Sequence, residues 1–242
     1  MKMEFRRFFV PLVLAASVIM MVNLVMKAPS EARMQLMQYA KEKNIAYTEY
    51  PDGMVKLLER NPEAEAFVLN YPFREDWAVE LSDYDLSRGV PLFLQWDEQW
   101  GYLPWGGDFV GGTGSAPMCL AMAGYYVSGG ESKYYPDKIV AFAEENGYSG
   151  DDLISQGGKA MGLKITNISR EEQKIANYLR NGDPIIASTS SGDFDNYIVL
   201  TGYHDGIVTV NDPDSRVNSE KEWTFEELGR QIKKLWVVQN GK

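Results

Sequence analysis

The 242-residue sequence contains one cysteine, Cys119, and one histidine, His204. A lone thiol excludes an internal disulfide, and so few soft ligands exclude a zinc site built from cysteine and histidine. No internal repeat or low-complexity tract is present, which excludes a fibrous protein. Basic residues are also in short supply, 24 against 34 acidic ones, for a net charge of −10. With no basic footprint, a nucleic-acid partner is excluded, and the acidic surface reads as a solvated face that aids solubility. No cofactor and no metal is expected.

What is present suits one good-sized domain and an anchoring segment. Hydrophobic residues make up 45% of the chain and aromatic residues 12%, enough for a substantial core. Residues 8–26 are apolar apart from Pro11, Ser17 and Asn23, and Lys2, Arg6 and Arg7 precede them. Nineteen helical residues rise roughly 28 Å, close to the ~30 Å hydrocarbon layer. No small-x-small cleavage site follows the full stretch, so the spacing predicts an uncleaved anchor rather than a cleaved signal. The leading basic residues favour a cytoplasmic N-terminus, which puts the body outside the cytoplasm, or secretes it if the segment is cleaved. The first 34 residues hold five basic and two acidic side chains, leaving −13 on the remainder.

The body divides into a helical lead-in, residues 31–89 after an anchor region 1–30, and a domain from 90 to 242. Ser30 can cap a helix running to about Lys43, and Pro51 suits the first turn of another that Asn61-Pro62 interrupts. A short helix over Glu63–Asn70 follows. Ser115 begins a nearly all-apolar helix to about Val127, the pattern of a buried central helix, with Ser115 itself as N-cap. Further helices are predicted over Pro136–Gly147, Asp151–Gly162 and, behind a Ser169/Glu172 capping box, to about Gly182. Pro184–Ser188, Asn196–Tyr203, Ile207–Asn211 and Leu235–Val238 read as strands, the middle two joined at Asp205-Gly206. Thr224 and Glu227 form a second capping box. Helices first and antiparallel strands after give an α+β class.

Four ordered blocks then carry a resemblance. Gly114-Ser115-Ala116-Pro117-Met118-Cys119-Leu120-Ala121-Met122 resembles the nucleophile helix of the bacteriocin-processing cysteine peptidases, a papain-like group, where the motif reads Gly-Cys-Gly-Pro-Thr-Cys-Leu-Ala-Met. Asn196-Tyr197-Ile198-Val199-Leu200-Thr201-Gly202-Tyr203 is similar to their His-Phe-Ile-Val-Leu-Thr-Gly-Tyr strand. Val210-Asn211-Asp212-Pro213 matches the segment of the third triad member, and Gln95 the oxyanion glutamine. The stretch from Asn61-Pro62-Glu63 to Tyr71-Pro72 is similar to standalone members of Gram-positive bacteria. The resemblance spans roughly residues 50–240 and implies a papain-like fold.

It also implies that the site positions are Gln95, Ser115, Asn196 and Asp212, with serine where the cysteine stands and asparagine in place of the histidine. The loop before Asn196 is shortened, with Asp193-Phe194-Asp195 abutting it. A helix-start thiol beside an imidazolium ionises near neutral pH; a serine hydroxyl needs a base, and an asparagine amide accepts no proton. Cys119, one helical turn beyond Ser115, reads as a small core side chain. His204 lies about 26 Å along the strand from Asn196. Trp96, Trp100 and Trp105 either line a peptide cleft or pack under the loop. Three functions stay open: a pseudopeptidase holding a peptide or protein partner in the old cleft, an active peptidase or amidase with a non-standard nucleophile, and a structural domain with no ligand. An open groove at Ser115, Asn196 and Asp212 separates the first from the third.

Overall fold

The computed structural model describes residues 29–75, 79, 81, 84–191 and 194–242. The anchor expected at residues 8–26 and part of the loop before Asn196 lie outside these residues. Among the described residues no helix is long and apolar enough to cross a membrane. The chain forms two compact units, Met1–Tyr47 and Thr48–Lys242. Residues 48–89 of the lead-in therefore share a unit with the domain.

In the first unit, helix α1 (Glu31–Lys43) starts where the Ser30 hydroxyl accepts the Arg33 N–H at 3.3 Å, and it stops at Asn44, whose φ of 56° is left-handed.

In the second unit, helix α2 (Asp52–Arg60) enters after Pro51 and presents buried Met54, Val55, Leu57 and Leu58. Its end at Asn61 leads into a single 3-10 turn, Pro62–Ala64, and then the expected short α-helix, Glu65–Asn70. Helix α3 (Ser115–Ser128) is the central element. Met118, Cys119, Leu120, Ala121, Met122 and Ala123 are completely buried, so it is covered on all sides. Each large side chain buried this way contributes about 1.5–3 kcal/mol. Helix α4 (Pro136–Asn146) packs beside it and ends at left-handed Gly147.

Six antiparallel strands form one sheet: β1 (Leu163–Asn167), β2 (Ile185–Ser191), β3 (Phe194–His204), β4 (Ile207–Asn211), β5 (Trp223–Thr224) and β6 (Ile232–Asn240), in the order β1-β6-β2-β3-β4-β5. The alternation of the strands sorts their side chains to two cores. Ile186, Tyr197, Val199, Trp236 and Val238 face the α3 side. Ile185, Ala187, Ile198, Leu200 and Val237 face the other side, which helix α5 (Glu172–Arg180) covers with Ile175 and Leu179. Asp205 (φ 47°) and Gly206 (φ 82°) supply the two left-handed residues that the tight β3–β4 turn requires.

Two local expectations are corrected. The Ser169/Glu172 box does not form: the Ser169 hydroxyl donates to the Glu171 carboxylate at 2.5 Å, and α5 begins without a side-chain cap. The helix expected over 151–162 ends at Ala160 and contains a π-helical stretch, Leu153–Gly157. Strand β1 takes the residues just after it, with Leu163 and Ile165 buried and Lys164 exposed. By contrast, the Thr224/Glu227 box is complete.

Candidate functional site

Gln95, Ser115 and Asn196 converge on one cleft of about 820 Å³, and Asp212 lies buried behind them. Ser115 comes from the first turn of α3, Asn196 from β3 and Asp212 from the residue just after β4.

Ser115 is not the N-cap. That position is Gly114, which has no side chain to offer, and Ser115 is the first helical residue. Its hydroxyl oxygen instead accepts the Tyr197 N–H at 3.3 Å, a bond that ties the helix start to β3 one residue beyond Asn196. The site therefore depends on the register of β3, where Asn196 pairs with Thr189.

Asp212 is 5% exposed. Its carboxylate accepts the Asp214 N–H at 3.0 Å and the Asn218 amide at 2.8 Å. The Asn196 side-chain amide lies near enough to help hold the Asp212 charge. Burial pushes the Asp212 carboxyl above its ordinary range; those donors oppose the shift, and the charge of Asp214 adds to it. Asn196 offers the cleft no basic nitrogen.

Gln95 is held at both ends. Its backbone N–H donates to the Pro213 carbonyl at 2.7 Å. Its side-chain amide donates to the Gly111 carbonyl at 3.1 Å and to the Asp214 carboxylate at 2.8 Å. An NH₂ group has two hydrogens, so both are committed, while the buried Oε1 has no partner.

Asp214 emerges as a hub that the sequence did not reveal. Arg60, from the end of α2, donates to its carboxylate at 2.7 Å and to the Gly112 carbonyl at 2.6 Å. The Asn61 amide and the Trp96 indole N–H donate to its backbone carbonyl at 2.5 and 3.1 Å. Two residues on, Glu63 accepts the Ser215 hydroxyl at 2.5 Å and the N–H groups of Arg216 and Val217 at 2.9 and 3.2 Å. Residues 60–63 thereby clamp the loop that follows Asp212, and α2 contributes Gly53, Lys56, Leu57, Glu59 and Arg60 to the cleft lining. No local pattern marks these partners, because they lie more than 150 residues apart in the chain.

The three tryptophans divide. Trp100 is packed under the loop, 1% exposed, with its indole N–H on the Leu94 carbonyl at 2.8 Å. Trp96 is held by Asp214. Trp105 lines a second pocket, about 400 Å³, which Ser115 and Thr113 share with the cleft. Cys119 is fully buried in the core below, and burial pushes its thiol well above the ordinary range. His204 is exposed at the far end of β3. Among the described residues no group of three or more metal-ligating side chains forms.

The model of the Peptidase_C39 like family matches residues 90–241. Among solved structures, the chain is similar to the peptidase domain of Streptococcus ComA, a bi-functional ABC transporter involved in a quorum-sensing pathway. The identity is 18% and the TM-score 0.42, over 52% of this chain and 90% of that one. It is also similar to a Bacillus anthracis structure described as a C39-like peptidase, at 16% identity and a TM-score of 0.39, over 63% of this chain and 96% of the other. No curated protein matches the chain. The family match takes in more than half of the chain and every one of Gln95, Ser115, Asn196 and Asp212; with its mixed helices and antiparallel sheet, this is an α+β, papain-like protein that belongs to the Peptidase_C39 like family.

Proposed function

We propose that the chain is a membrane-anchored extracytoplasmic protein, a pseudopeptidase whose cleft holds a peptide or a segment of a protein partner without cutting it. The observation that carries this reading is the contrast within one site: the cleft is open at Ser115 and Asn196, yet the groups lining it are unsuited to catalysis. Ser115 lacks the usual base, because the residue at the base position is an asparagine, whose amide takes up no proton. Gln95 has no N–H left for a developing oxyanion. Cys119, the one thiol of the chain, is sealed in the core. The open groove also weighs against a structural domain with no ligand.

Two measurements on the intact protein test the proposal. Incubated with a broad set of quenched-fluorescent peptides, it should release no fluorescence above a heat-treated control, while retaining some of those peptides in equilibrium dialysis. Cleavage at the level of active family members would point instead to a non-standard nucleophile, and absence of retention to a structural role. The anchor is tested by fractionation. The protein should stay with membranes through an alkaline carbonate wash, with its body open to external protease; recovery of a shortened soluble form would mean that the segment is cleaved.

A further inference from the structure

We infer that the smaller pocket beside Ser115 accepts a basic side chain, lysine or arginine, of the peptide lying in the cleft, an inference that rests on the cleft-binding reading above. Its volume of about 400 Å³ leaves room for a long side chain. Trp105, Tyr148 and Tyr197 give it aromatic walls, and Ala143 and Gly147 leave space between them. Tyr197 is fixed in place, with its hydroxyl donating to Asp151 at 2.8 Å.

Among the described residues lining the pocket, Glu144 is the one charged group, and no lysine or arginine stands with it. One oxygen of Glu144 accepts the Gly106 N–H at 3.0 Å, which holds the carboxylate at this pocket. Carboxylate and aromatic rings together attract a cation by charge and by the ring quadrupoles. The start of α3 at Ser115 and Ala116 also borders the pocket, and its positive end suits an oxygen rather than a cation. A peptide satisfies both demands at once, with a backbone carbonyl at the helix start and a basic side chain at Glu144. An acidic side chain would be repelled by Glu144, and an aliphatic one would leave the carboxylate unanswered.

The larger part of the cleft is mixed in sign, with Lys56 and Arg60 beside Glu59, Asp108 and Asp214, whereas the lining of the smaller pocket carries negative charge alone. The net charge of −13 on the residues after 34 draws cationic peptides toward the body.

The test is isothermal calorimetry on the full chain with blocked alanine pentapeptides carrying lysine, arginine, norleucine or glutamate at the centre. Lysine and arginine peptides should bind about tenfold tighter than the norleucine peptide, with the glutamate peptide weakest. Glu144→Gln, a change at an exposed position, should bring lysine and norleucine to near-equal affinity. Equal binding of lysine and norleucine by the unaltered protein would overturn this inference and leave the cleft-binding reading standing. A lysine preference that survives Glu144→Gln would overturn it too, because the preference would then arise elsewhere. If none of the peptides binds, the inference and the cleft-binding reading fall together.

Discussion

Installing a nucleophile and a base should not be enough to make this site cut peptides efficiently, because Gln95 would still be held. In the Ser115→Cys/Asn196→His double variant, Asp212 stands near enough to position 196 to orient the new imidazole. The oxyanion would nonetheless find the Gln95 amide committed to Gly111 and Asp214, at 3.1 and 2.8 Å. Loss of one oxyanion donor costs about 10²–10³ in kcat. Adding Asp214→Ala releases one N–H, so the triple variant should turn over on the order of a hundredfold faster than the double. Asp214→Asn is the informative control, because its side-chain carbonyl still accepts from Gln95 and the rate should stay low. Initial rates on quenched-fluorescent peptides, normalised to titrated thiol and accompanied by thermal melts, give the comparison. Equal kcat in the double and triple variants, or a gain in the triple that persists after Gln95→Ala, would refute the argument. Ser115→Cys alone should be sluggish and Asn196→His alone inert, each lacking the other's group.

Cys119 should resist a thiol-directed disulfide reagent at pH 8 in the folded protein and react stoichiometrically in denaturant, as its burial requires; rapid labelling of native protein would contradict this. Glu63→Ala removes an acceptor shared by one hydroxyl and two backbone N–H groups, and should cost about 2 kcal/mol in urea unfolding, with an unchanged midpoint refuting the clamp. Asp212 has a folded-state pKa raised above 3.8, so the native state takes up its proton before the unfolded state does. As pH falls through that raised value toward 3.8, the wild type should therefore gain stability relative to Asp212→Asn, and urea midpoints that run parallel would refute the shift.

The elements that could be read from sequence were those specified locally. The buried helix α3 announced itself by an unbroken apolar run, the β3–β4 turn by Asp-Gly, and the last capping box by Thr224 and Glu227. Local grammar misled where a competing bond existed: Ser169 found Glu171 before it could cap α5, and Gly114 took the cap position ahead of Ser115. Gln95, Ser115, Asn196 and Asp212 could be singled out because four short blocks occur in a familiar order. Their contacts could not. The commitment of Gln95 depends on Asp214, and Asp214 in turn on Arg60 and Asn61, partners that meet only when distant segments fold together. Composition and periodicity describe a residue's neighbours along the chain, and this network has almost none.

The clamp of residues 60–63 on the loop after Asp212 also sets a timetable. Arg60 is made some 154 positions before Asp214, its partner across the cleft. A contact closing so long a span has a large loop entropy to overcome and forms late in folding. Helix α2 can pack against Glu65–Asn70 and Val110–Thr113 as soon as those are made, whereas its Arg60 bond must wait until Asp214 has been synthesised and placed. The cleft is then complete only once both segments are in place, and a ligand that spans α2 and β3 would bind only finished molecules, stabilising them by mass action while leaving half-folded chains untouched.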